Sequence, residues 1–180
     1  MAAYSKRKLV AMLIAIDNAE SNDAKGDALE ELSRYLFEKV RGIEFLEKNI
    51  LDAPRAHELD LAFWNDQPRS ELPFLDAALV VECKACELAV GSADVGWFVR
   101  KLQDRGAHHG ILVALNGITG SVDGPTSAYN EVLTALIRDG IKILLLTRDE
   151  IAALRSSADL AVLLKRKLLQ LTLRRVVDLS

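Results

Sequence analysis

The sequence predicts an α/β domain, a mixed central β-sheet with helices on both faces. Three strand-like runs, 42–50, 57–64 and 75–85, follow one another through short connections, as an antiparallel meander requires. Two later runs, GILVAL (110–115) and IKILLLT (141–147), are apolar throughout, the pattern of strands buried on both faces. Helical stretches separate these from 75–85 and from each other. The order strand–helix–strand–helix–strand implies crossover connections and parallel neighbours.

Residues 4–18 read as a first helix. Its apolar run Leu9–Ile16 follows Lys6-Arg7-Lys8 and faintly imitates a signal peptide. Asp17-Asn18-Ala19-Glu20 comes next, with no small-residue cleavage site, and the run is far short of the ~20 apolar residues that span a membrane. A cytoplasmic protein with no membrane partner is expected. In 25–40, Leu29, Leu32, Leu36 and Val40 share one helical face, and Arg41-Gly42 closes the helix. Run 42–50 alternates moderately. Run 57–64 alternates clearly, with Leu59, Leu61 and Phe63 on one side and Glu58 and Asp60 on the other.

NDQPRSELP (65–73) is a polar turn with two prolines. Residues 93–106 read as a helix, and 116–125 as a glycine-rich loop that matches no phosphate-binding fingerprint. Helices follow at 126–139, 149–156 and 158–176. The last carries Lys165, Arg166, Lys167, Arg174 and Arg175. Its leucines, Leu160, Leu163, Leu164, Leu168, Leu169, Leu171 and Leu173, occupy more than one face and require burial on more than one side. A homodimer is the expected way to supply part of that cover. No linker or repeat interrupts the chain, so residues 1–180 read as one domain with a core at about 24–155.

The length of 180 residues suits one domain, and a 50% apolar content suffices for a core. With 23 basic and 26 acidic residues the net charge is −3, so any affinity for DNA must come from local basic clusters. Cys83 and Cys86 form a C-x-x-C spacing with no second pair to complete a zinc site. On a strand they lie roughly 10 Å apart, beyond disulfide reach. Two buried or half-buried free thiols are expected.

Charges inside apolar strands carry the functional signal. Asp60 interrupts HELDLAF, while Glu82 and Lys84 interrupt VVECKA. Such charges are seldom buried unless paired or bound to something. Glu82 and Lys84, two apart, leave the same strand face, and Asp60 joins them if the strands are neighbours. Two readings fit: a structural ion pair of Lys84 with Glu82 or Asp60, or a divalent-cation site on the two carboxylates.

The run Asp60 … Glu82-Cys83-Lys84 resembles the D…(D/E)-x-K signature of the PD-(D/E)xK nuclease superfamily. VVECKA is particularly similar to its Mrr-type (type IV) restriction endonuclease-like branch. KGDALEELSRYLF resembles that branch's first core helix, with Glu30 at the position of a frequent glutamate, and GILVALNGITG resembles the strand and loop after the lysine. The resemblance implies a restriction-endonuclease-like fold and a divalent-metal-dependent DNA endonuclease in restriction, defence or DNA processing. By that resemblance Asp60, Glu82 and the Cys83 backbone carbonyl would hold Mg²⁺, with Mn²⁺ as a substitute. Lys84 would orient or deprotonate water or stabilise developing charge. Glu30 would hold a metal-bound water or a second ion. The alternative is a catalytically silent nuclease-like module for nucleic-acid binding or assembly.

Leu59 stands where the superfamily often has proline. Gln103 matches part of a Q-x-x-x-Y motif, but Ala107 occupies the tyrosine position. Gln103 therefore enters as a weak nucleic-acid contact, as do Lys101 and Arg105, four apart on one helical face. No separate DNA-reading module is evident, which leaves room for a targeting or defence-system protein as partner. His57 falls on the strand face opposite Asp60, and His108-His109 read as a solvated turn. Trp97 and Phe98 read as core.

Overall fold

The computed structural model describes residues 1–51, 58–120 and 127–174. His57, residues 121–125 of the glycine-rich loop and Arg175 lie outside the described residues. The elements are α1 (Lys6–Asp17), α2 (Asn22–Glu38), β1 (Ile43–Leu51), β2 (Glu58–Asn65), β3 (Ala78–Lys84), α3 (Ser92–Gln103), β4 (His109–Ala114), α4 (Ala128–Thr134), β5 (Lys142–Leu146), α5 (Arg148–Ala153) and α6 (Ser157–Arg174). The sheet order is β1-β2-β3-β4-β5. The first three strands pair antiparallel and the last three parallel. The mixed sheet is the restriction-endonuclease-like arrangement that the sequence predicts.

Local chemistry sets the element ends. Ser21 Oγ accepts the Ala24 N–H at 3.1 Å, so α2 starts at Asn22, ahead of the expected 25. Gly42 has φ 78°, and a Cβ there would come within 2.6 Å of the Ser70 Cα, so glycine is required where the chain turns into β1. β3 begins at Ala78 and not 75 because the Asn65 amide donates to the carbonyls of Leu72, Leu75 and Asp76 and holds them as a loop. α4 continues as a π-helical turn, Ala135–Asp139, that ends at Gly140 with φ 70°.

Alternation along β3 assigns the two helical layers. Cys83 faces α2, where its thiol donates to Ser33 Oγ at 3.3 Å. Glu82 faces the other way, onto α3. Leu59, Leu61 and Phe63 are buried on the α2 side, and the Phe63 ring lies 5.5 Å from Phe37 and 5.6 Å from Phe45. On the opposite face, Gly110 lets α3 approach β4 closely. A Cβ there would meet Leu102 at 2.5 Å and Phe98 at 2.7 Å, both fully buried side chains. Gly110→Ala is therefore expected to cost about 1–3 kcal/mol by overpacking. Chemical denaturation of the variant measures this, and an unchanged midpoint would count against the close packing.

Three expectations need correction. Cys86 is exposed and only Cys83 is buried, because β3 ends at Lys84 and the chain leaves the core. Trp97 is 51% exposed, since the apolar stripe of α3 runs through Val95, Phe98 and Leu102. His108 and His109 are not simply a solvated turn. Both backbone N–H groups donate to Asp76 Oδ2, at 2.7 and 3.0 Å, and His109 Nδ1 lies 2.9 Å from Oδ1. In α6, Leu160, Leu163, Leu164 and Leu171 are buried by the chain's own core, while Leu169 and Leu173 are exposed.

Candidate active site

The β2–β3 ladder runs from Trp64↔Ala78 to Leu61↔Val81. The next pair in register would be Asp60 with Glu82, but the strands part there. β3 stays bonded to β4 as far as Lys84↔Ala114. Asp60 closes the gap with its side chain, Oδ2 accepting the Cys83 N–H at 2.6 Å. The N–H and C=O of one strand residue point to the same side, so the Cys83 carbonyl also lies on the side that β2 has left. Asp60, Glu82, Lys84 and the Cys83 backbone are thus brought together where three of these charges interrupt apolar strands.

Glu82 is fully buried. Both its oxygens accept from Lys101 Nζ, at 2.7 and 2.8 Å. Lys84 Nζ lies 3.2 Å from Oε1 and 3.8 Å from Asp94 Oδ1. Burial pushes the Glu82 carboxyl above its ordinary range, and the neighbouring Asp60 adds to this, while Lys101 and Lys84 pull it back. Burial alone would lower Lys84, but the carboxylates of Glu82, Asp60 and Asp94 outweigh it and hold the ammonium above its usual value. The Cys83 thiol is pushed well up by burial, which leaves its main-chain carbonyl, not its sulfur, as the donor at this position.

Glu30, on α2 one turn before Ser33, is half-buried beside this group. Lys48 Nζ lies 3.4 Å from its carboxylate and 3.2 Å from that of Asp27. Burial and the charge of Asp60 raise the Glu30 carboxyl, and Lys48 opposes them. In front of Lys84 opens a groove of about 640 Å³, bordered by Asn22, Gly26, Cys86 and Leu88. The segment after Lys84 is pinned by the Asn116 amide, which donates to the carbonyls of Cys86 at 2.9 Å and Glu87 at 3.1 Å.

Lys101 of α3 departs from expectation. Lys101 is 4% exposed and paired with Glu82, not set on a solvated face. Its place was visible in the spacing: it stands three residues after Phe98 and one before Leu102, inside the apolar stripe. Arg105 donates to the Lys101 carbonyl at 2.9 Å, and the Gln103 amide donates to Asp139 at 2.8 Å, towards the π-helical turn. Lys101 is thereby withdrawn from solvent, while Gln103 and Arg105 stay partly exposed.

Among the described residues, no three His, Cys, Asp or Glu side chains gather into a metal site by themselves. The donors that are present, two carboxylates and a main-chain carbonyl, are hard oxygens. They suit Mg²⁺, which commonly takes one or two carboxylates and completes its shell with water and phosphate oxygens. Lys101 and Lys84 both approach Oε1 of Glu82, and Lys101 alone approaches Oε2, so the second lone pair of Oε2 is the one left for an ion.

The Mrr_cat family model, described as a restriction endonuclease, matches residues 22–154. No curated protein and no solved structure matches the chain.

Proposed function

The chain belongs to the Mrr-type restriction endonuclease family, and from that premise we propose that it is a divalent-metal-dependent endonuclease hydrolysing phosphodiester bonds of DNA. The observation that carries this reading is the parting of β2 from β3 at Asp60, which sets two carboxylates, a main-chain carbonyl and a lysine ammonium at one end of β3. In this reading Asp60, Glu82 and the Cys83 carbonyl hold Mg²⁺, or Mn²⁺ in its place. The bound ion would polarise the phosphate and lower the pKa of an attacking water.

The chain's own groups do the rest. Lys84, kept charged by its carboxylate neighbours, stabilises negative charge developing on the phosphate, a role better suited to an ammonium than proton abstraction is. Glu30 orients water from the α2 side. The groove before Lys84 admits the strand to be cut. Among the described residues no helix is long and apolar enough to cross a membrane. Cutting both strands of a duplex would be served by a homodimer, and choice of target by a separate partner protein.

Supercoiled plasmid incubated with Mg²⁺ or Mn²⁺ is expected to be nicked or linearised, and a chelator to stop the reaction. Lys84→Ala should slow conversion strongly. Equal conversion by the wild type and this variant would remove the reading. A catalytically silent binding or assembly module is favoured by one observation, the neutralisation of Glu82 by Lys101. Retention of DNA without metal-dependent conversion would establish it.

A further inference from the structure

Lys101 has no task in the reading above. Placing an ammonium at 4% exposure is costly unless it is paired. Here it spans both oxygens of a fully buried carboxylate at 2.7 and 2.8 Å. A hydrophobic side chain would pack at this point of the stripe between Phe98 and Leu102 without that cost. The Glu82 carboxylate already carries two ammonium groups, Lys101 at 2.7 and 2.8 Å and Lys84 at 3.2 Å, and the more exposed Lys48 lies 3.4 Å from Glu30. Asp27 and Asp94 touch Lys48 and Lys84 from the more exposed rim. Glu82 is therefore neutralised before any ion enters, and a dication there meets the repulsion of two ammonium groups.

We propose that Lys101 is a resident counter-ion for Glu82, a positioning residue that competes with the divalent cation for this carboxylate and holds the protein's own affinity for the cation down. The inference rests on the reading of Asp60 and Glu82 as the cation-binding pair. It follows that the phosphate diester, by bringing negative charge of its own, favours entry of the cation together with substrate. Lys101 contacts neither; it acts through Glu82.

The test is calorimetric titration of the full chain with Mn²⁺ in the absence of DNA, which reads affinity and not turnover. Lys101→Met removes the charge while retaining an unbranched side chain. Lys101→Gln is neutral and still donates a hydrogen bond, so it carries the same test should the Met variant not fold. The folded neutral variant is expected to bind Mn²⁺ about tenfold more tightly than the wild type, or to show heat where the wild type shows none. Asp60→Asn added to that variant should abolish the heat. Neutral variants binding no more tightly than a wild type whose heat depends on Asp60 would overturn the inference and leave the active-site reading standing. No Asp60-dependent heat in any of these proteins would overturn both.

Discussion

Asp60→Asn is expected to reduce plasmid conversion at least about a hundredfold, the scale of losing a group that stabilises charge at a reacting phosphate, while the protein melts close to the wild-type temperature. The asparagine carbonyl can still accept the Cys83 N–H that Asp60 Oδ2 accepts at 2.6 Å, so the β2–β3 junction survives. What is lost is the negative charge beside Glu82. Asp60→Ala is a poorer probe because it also orphans the Cys83 N–H in a partly buried position, a penalty of about 1–3 kcal/mol. Conversion rate and melting temperature measured on the same Asn preparation separate chemistry from fold. An Asn variant that cuts as well as the wild type would remove Asp60 from the site.

The second large effect belongs to the core. Phe63→Ala should destabilise the protein by about 3–5 kcal/mol. Phe63 is fully buried and its ring is flanked by those of Phe37 and Phe45. At this chain length such a loss lowers the melting temperature by roughly 6–20 °C. Phe37 belongs to α2, the helix that carries Glu30 and Ser33, so the aromatic cluster also fixes that helix against the sheet. Plasmid conversion should fall with the variant at temperatures where the wild type is still folded. A loss below about 1 kcal/mol in denaturant would show that the surroundings collapse into the space.

Most of this architecture was legible in the chain. The alternation of Leu59, Leu61 and Phe63 set both the strand and its buried face, and the unbroken apolar runs in β4 and β5 announced parallel strands covered on both sides. The meeting of Asp60 with the Glu82–Lys84 segment followed from alternation once the two strands were taken as neighbours. Lys101 was not legible in the same way. A lysine four residues from an arginine has the look of a solvated face, and only its place among Val95, Phe98 and Leu102 marks it as buried. Its partner lies on another element, and one-dimensional periodicity carries no information about which strand residue a helix faces. The exposure of Cys86 and Trp97 has a related cause, since apolar character states a preference for burial without supplying the surface that buries it. The Asn65 bonds that delay β3 link a side chain to carbonyls seven to eleven residues away, again beyond any local pattern.

The outer rim of β1 has a consequence for assembly. Its register shifts between Phe45 and Glu47, and Asn49 adopts φ 57°. Among the described residues no strand pairs with its far side. The irregular backbone interrupts the even row of donors and acceptors that a neighbouring chain would need, and Glu44, Glu47 and Lys48 line it with charge. A sheet continued from one copy of the chain into the next is thereby discouraged at this margin, as is fibril-like stacking. Two copies that associate would have to do so through some surface other than this edge.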